Sequence, residues 1–496
     1  MYKCIFSACI FLSIFFTSYS QAFTLTAEKK MDWRMIEIPT AINSSFDTEC
    51  SFTFQNSILY LNDEEAIVTV FDNNKGYQLV NLNKNVLVKW EAAVPGYILG
   101  FGKKGDKIIA FYSMEWQDKF RIRAVIKKIY AVLIDIQTGK KTSSKVVYEN
   151  TSDQFIDPRV NNLPSGEFQQ LVVKTSRKMK RVYFYSGPEL KSVDCEKMEV
   201  LAFDDQLKAI RNVSLNSLSV GNLHLFSLVN SNKETCIGSF SNGKLAIERF
   251  DTSMNLIGKL ETPFAFSGDR ETYSVVALDN TNNKDIVLGI KYDNKDDYFV
   301  SALRFDFNKN TVVADTRELN KTLAKQLNDE AVAQGMKPAD LKKFYRMQMV
   351  GVAQQADKLI FIHEMRAAEF PLDRPMAQAS RYKNDALLIS VYNRDMKLLR
   401  NITIAKECET HSAAQMERSV GYKVEDNKLY IITNDGVKFE KRSNVFLVID
   451  LNTMKVNKQS FISEATIVEA GATLWFKNSF LLNFVRGDKI LYKVSY

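Results

Sequence analysis

The sequence predicts an all-β chain folded as a β-propeller of eight four-stranded blades, with seven as the alternative count. Three observations predict it. After Gln55 the chain reads as short β-rich segments parted by Asn, Asp, Lys and Gly turns. An apolar strand ending in Asp or Asn, followed by a turn and another strand, recurs seven times. Finally, 496 residues exceed what one ordinary core serves, so the chain is either several domains or a repeat array.

At the N-terminus, Lys3 and the apolar run Ile5 to Phe16 have the form of an export leader, with Ser20 and Ala22 as the small residues of a cleavage site. Cleavage is expected between Ala22 and Phe23. That leaves 1–22 as a signal peptide and 23–496 as a single propeller domain, secreted or periplasmic. The run is shorter than the ~20 residues of a spanning helix, and no later stretch is apolar enough to form a transmembrane segment. A lipid-anchored form would use Cys9 in the box Phe6-Ser7-Ala8-Cys9. Export permits disulfides: Cys50, Cys195, Cys236 and Cys408 allow three pairings, and buried thiols are the other reading.

The recurring pattern runs Leu79-Val80-Asn81, Leu133-Ile134-Asp135, Ala202-Phe203-Asp204, Arg249-Phe250-Asp251, Arg304-Phe305-Asp306, Val391-Tyr392-Asn393 and Val448-Ile449-Asp450. An Asp or Asn opening a turn accepts hydrogen bonds from amides two or three residues on, so these side chains are read as structural. Two further strands precede each copy, which places blade starts near residues 57, 97, 168, 221, 273, 346, 419 and 466. The last blade lacks a fourth strand. Trp33 to Ile38 alternates in polarity and is expected to pair beside Lys489 to Tyr496, closing the ring. Within 320–344, Leu323, Leu327 and Ala331 fall on one helical stripe, predicting a short helical insertion packed on the propeller.

The segment Tyr130-Ala131-Val132-Leu133-Ile134-Asp135-Ile136-Gln137-Thr138-Gly139-Lys140 resembles the outer hairpin of quinoprotein-type and related extracytoplasmic bacterial β-propeller repeats. The propeller resemblance covers nearly all of the chain beyond the leader; its Thr-Gly-Lys form is confined to one blade. The tryptophan that follows the glycine in quinoprotein repeats is missing from Lys141 to Tyr148. The resemblance therefore implies an architecture at superfamily level, and no quinone or other cofactor is expected.

Composition narrows the function. A net charge of +8 spread over so long a chain excludes an ordinary nucleic-acid binder, which concentrates its charge. Three histidines leave little for a histidine-built metal site, and no metal is expected. No GxSxG, HExxH or phosphate loop occurs. Arg486-Gly487-Asp488 matches an adhesion tripeptide and equally an ordinary turn.

Turns between strands one and two and between three and four read as short. The large insertions, Glu115 to Lys128, Asn150 to Gly166, Gly187 to Lys197, Asn320 to Phe344 and His363 to Asn384, all fall in the other class of connection, which leaves from the opposite face. Two of them mix bases with aromatic or polar groups. Trp116, Lys119, Arg121 and Arg123 lie in the first, and His363, Arg366, Arg374 and Arg381 in the last; such residues recognise carboxylate, sulfate or phosphate. The expected function is an exported, non-catalytic propeller binding a protein, glycan or envelope component, anionic in character. The alternative is a hydrolase or lyase using carboxylates such as Glu115, Asp153, Asp157 and Glu364 in the funnel.

Overall fold

The computed structural model describes residues 24–35, 58–115, 126–151, 155–176, 179–184, 187–192, 197–215, 223–265, 273–279, 285–294, 297–369, 381–410, 420–435, 443–462, 470–483 and 490–496. Its repeating local device is the turn the sequence pattern marks. Asp135, Asp204, Asp251, Asp306 and Asp450 each join the third strand of a blade to its fourth, and one carboxylate oxygen of each accepts two backbone amides at 2.7–3.0 Å. Asn393 does the same with the amides of Asp395 and Lys397. In blade 1 the turn residue is Asn83, bonded to the amides of Asn85 and Leu87. Asn81, expected in that role, is buried two residues earlier within the strand.

Three or four residues past the Asp or Asn, the backbone enters the left-handed region. Gly139 takes this position without strain at φ 69°; Asn310 and Met454 hold it at φ 53° and 57°, and Val86, Leu207, Met254 and Met396 at φ 58–66°. Such a conformation costs a side-chain-bearing residue roughly 1 kcal/mol or more. In the last four burial offsets it: their side chains are buried, each inserted into the apolar cluster of a blade seam.

The preceding blade holds the same turns from outside. Trp90 Nε1 of blade 1 donates to the Ile136 carbonyl of blade 2 at 2.7 Å, and Lys145 of blade 2 to the Gln206 carbonyl of blade 3 at 2.6 Å. Arg211 donates to the Thr252 carbonyl, Arg249 lies 4.7 Å over the Phe307 ring, and Arg304 donates to the Arg394 carbonyl at 2.5 Å. Lys358 reaches Asn452 at 3.4 Å, and Lys493 of blade 8 reaches Asn85 of blade 1 at 2.7 Å. Between blades 7 and 8 the clasp shifts to the turn after the first strand, where Lys423 meets the Phe476 carbonyl at 3.3 Å. Four seams, 8–1, 2–3, 3–4 and 5–6, thus combine a buried apolar plug with a donor from the blade before.

Antiparallel ladders make eight blades in a ring: 58–93, 97–149, 155–215, 223–263, 273–318, 347–410, 420–462, and 474–495 joined by 24–30. The third blade starts at Phe155–Asn162, earlier than the sequence pattern placed it, and carries an extra hairpin, Met179–Phe184 with Gly187–Ser192. An N-terminal strand does close the ring, but it is Thr24–Lys30, paired with Ile490–Ser495 as the outermost strand of the last blade. The segment expected to close it does something else: Arg34–Met35 pairs with Val70 and Phe71, beside Ile58–Asn62, and the two pieces share the innermost position of blade 1. Met31, Trp33 and Met35 then sink into the core shared by blades 1 and 8.

One α-helix occurs among the described residues, Lys321–Ala333, in the connection from blade 5 to blade 6. The Asn320 side chain caps it by accepting from the Leu323 amide at 2.9 Å. As the stripe predicts, Leu327 and Ala331 are buried, and Leu327 joins Phe344, Met347 and Leu388 in the cluster between those blades, with Leu323 packed against it. No helix among the described residues is long and apolar enough to cross a membrane.

Candidate functional site

Alternation of antiparallel strands roots five long connections, 114–127, 177–196, 319–346, 370–380 and 463–473, on one face of the disc. On the opposite face most turns are tight, such as 105–106, 356–357 and 426–427; the longest, 136–144, is braced by a bridge between Ile134 and Lys141. The insertion read as 150–166 contains the first strand of blade 3, Phe155–Asn162. That read as 363–384 is largely strand extension: Lys358–Glu369 and Arg381–Asn393 continue the blade 6 ladder well past its neighbours, leaving 370–380 as the link.

Of the residues expected to meet a ligand, Trp116, Lys119, Arg121, Arg123 and Arg374 lie outside the described residues, as do Ala22 and Phe23. Arg381 sits at the start of its strand, opposite Glu369 in the ladder. His363 and Arg366 are buried in the second strand of blade 6, on opposite faces of the sheet. The structure therefore separates this pair between two seams.

Arg366 belongs to an ionic cluster facing blade 7. Its Nε donates to Glu364 Oε2 at 2.8 Å; the other Glu364 oxygen takes Lys406 Nζ, which also donates to Thr433 Oγ1 of blade 7 at 2.7 Å. The side chains of Glu364, Lys406 and Arg366 are 0%, 1% and 4% exposed. Beside them Asp435 accepts from the Glu407 amide at 3.0 Å and from Lys458 at 2.7 Å, tying the end of blade 6 to blade 7. All these groups lie toward the long-connection face, at the roots of links 370–380, 411–419 and 436–442. Sequence reasoning missed Lys406, Thr433 and Asp435. A signal was present: Ile360, Ile362, Glu364 and Arg366 share one strand parity, as do Ile402, Ile404 and Lys406, so charges continue two apolar stripes.

His363 lies on the other face, among residues packed toward blade 5. Its Nδ1 is 3.3 Å from the Leu388 carbonyl, which fixes the neutral tautomer with the proton on Nδ1. Burial first, and then the charge of Arg317, push its pKa down to about 3. Arg317 itself spans the seam, donating to Asn401 Oδ1 at 3.0 Å and Ser390 Oγ at 2.9 Å. Because the unfolded histidine binds its proton near pH 6.5, this group's contribution is complete above that pH. It falls by about 1.4 kcal/mol per unit as the pH drops toward 3. His363→Gln is expected to be less acid-sensitive than the parent, which urea titrations at pH 7, 5.5 and 4 measure; parallel losses in both proteins contradict the assignment.

The carboxylates considered for acid–base chemistry have separate local partners. Glu115 accepts from the amides of Lys127 and Lys128 and pins the base of its loop, Asp157 pairs with Arg159, and Glu364 is in the cluster above. Asp153 lies outside the described residues. No group of three or more His, Cys, Asp or Glu that could hold a metal occurs among the described residues. Cys236 and Cys408 are buried; Cys50 and Cys195 lie outside the described residues.

Fold and site together define an eight-bladed β-propeller repeat protein with one elaborated face. No protein-family profile matches the chain, and a search of curated proteins finds no match. Solved structures similar to it include BamB from Moraxella catarrhalis, at 10% identity over 96% of this chain and 100% of that one, with a TM-score of 0.42. The WD40 domain of SCAP from fission yeast matches at 9% identity over 94% and 98%, TM-score 0.39. Virginiamycin B lyase from Staphylococcus aureus matches at 9% over 96% and 100%, TM-score 0.36. The blade count stands on this chain's own ladders.

Proposed function

We propose that the chain is an exported, non-catalytic propeller of one domain that binds an anionic protein, glycan or envelope component through its long-connection face. The observation that carries this is the asymmetry of the disc: five long connections leave from one side, above strands locked by buried ion pairs. Rigid strands below and long links above are how binding surfaces are usually built. Trp116, Lys119, Arg121, Arg123, Arg374 and Arg381 supply cations and an aromatic ring to those links. Export is supported by the position of the first strand: it begins at Thr24, so cleavage between Ala22 and Phe23 leaves the closing strand whole.

Replacing 116–125 and 371–379 with short Gly-Ser links should leave the thermal transition within a few degrees of the parent. Binding to immobilised sulfated and carboxylated polysaccharides, and to proteins of an envelope extract, should fall at least tenfold. Unchanged binding, or binding that maps to the tight-turn face, defeats the reading. N-terminal sequencing of exported protein should start at Phe23; a start at Met1 or at lipid-modified Cys9 defeats the export step.

A further inference from the structure

The seam between blades 3 and 4 buries charge on both of its walls. In blade 3, Leu171 and Val173 belong to the core shared with blade 2, whereas Val172 belongs to that shared with blade 4. Strand alternation therefore turns Lys174, and Asp157 and Arg159 of the neighbouring strand, toward blade 4. In blade 4, Ile237 and Phe250 mark the wall that faces back, which places Ser239 and Glu248 on it. Asp157, Lys174, Glu248 and Ser239 are 2%, 6%, 1% and 1% exposed. Asn161 bridges the walls below them, donating to Ser227 Oγ at 3.3 Å.

Three buried atoms among the described residues of this seam have no hydrogen-bond partner: Arg211 Nε, on a guanidinium otherwise bonded to Gln170 and the Thr252 carbonyl, and the two acceptors Asp157 Oδ1 and Ser239 Oγ. The other Asp157 oxygen accepts from Arg159 Nε and Nη2 at 3.3 and 3.2 Å. A buried carboxylate oxygen without a donor is costly, and native seams rarely keep one without use. Oδ1 is an acceptor only, so it asks for a donor; Ser239 Oγ can both give and take. The charged side chains described on these walls are two acids, Asp157 and Glu248, and three bases, Arg159, Lys174 and Arg211, so an ion of either sign entering here would meet a like charge. A neutral hydroxyl suits both free acceptors at once.

We propose that the seam between blades 3 and 4 is a site for a small neutral polyol, one hydroxyl of which donates to Asp157 Oδ1 and accepts from Ser239 Oγ. Arg159, whose side chain is 23% exposed, marks the way in from solvent. This inference concerns a different region from the long connections and does not rest on them.

The test uses the full chain without its leader and glycerol as probe, followed by thermal unfolding and by calorimetric titration. A ligand held by the folded state alone raises the midpoint along a saturable curve. The parent protein should show that curve. Ser239→Ala, which removes a hydroxyl that makes no bond in the protein, should unfold at the parent's midpoint in buffer yet bind glycerol at least tenfold more weakly. Asp157→Asn should weaken it similarly and serves as the second variant. Equal, non-saturating rises in all three proteins, the mark of solvent exclusion, overturn the site. So does a crystal structure in glycerol with only water between Asp157 and Ser239.

Discussion

Deletion of residues 24–35 is expected to abolish cooperative folding of the whole ring instead of fraying one end. Thr24–Lys30 supplies the outermost strand of the last blade, and Met31, Trp33 and Met35 are 6%, 3% and 1% exposed between that blade and the first. Burying three such side chains contributes roughly 5–8 kcal/mol, and the ladder adds to it. That is comparable to the 5–15 kcal/mol by which domains are typically stable. Trp33→Ala alone should cost about 3–5 kcal/mol, since it opens a cavity and abandons the bond from Trp33 Nε1 to Glu91 at 3.2 Å. Urea denaturation followed by tryptophan fluorescence and by circular dichroism measures both. An unchanged midpoint in the deletion variant would show that the ring does not depend on its N-terminal strand.

The second large effect is expected at Glu364. Glu364→Gln preserves shape but strands Lys406 and Arg366 in a place water does not reach, and removing one partner of a buried pair typically costs about 3–5 kcal/mol. Adding Lys406→Met, which continues the apolar stripe of Ile402 and Ile404, should recover a substantial part of that loss. The double-mutant cycle isolates the pair from the rest of the seam. A cost for Glu364→Gln below about 1 kcal/mol would mean the cluster is solvated and does not brace the links above it.

These effects differ in how far the sequence announces them. The turns were readable because their chemistry is local: an Asp or Asn bonds to amides two to four positions on, so every copy carries its own signal. Blade 1 slipped by two residues because Asn81 and Asn83 offer the same chemistry, and only burial distinguishes them. Phe155–Asn162 was hidden in an apparent loop by Pro158 and the pair Asn161-Asn162, residues that argue against a strand until Asn162 is seen donating to the Phe101 carbonyl of blade 2 at 2.9 Å. The choice between Thr24–Lys30 and Trp33–Ile38 as closing strand depended on a partner at the far end of the chain. Glu364 and Lys406 are 42 positions apart, and Thr433 another 27. No local rule joins them, and a charge interrupting an apolar stripe was the only trace they left.

The closing strand also sets an order in time. Thr26 meets Lys493 across a separation of 467 residues, so the closing strand is made long before its partner. At ordinary synthesis rates of about 5–20 residues per second, that strand waits roughly half a minute or longer without a partner. Blades 2 to 7 have every strand of their own sheets by then, whereas the first and last share a core that cannot form until Ile490–Ser495 arrives. The nascent molecule is thus an open arc whose two ends are its stickiest surfaces, and synthesis of Ile490–Ser495 is the event that turns it into a ring.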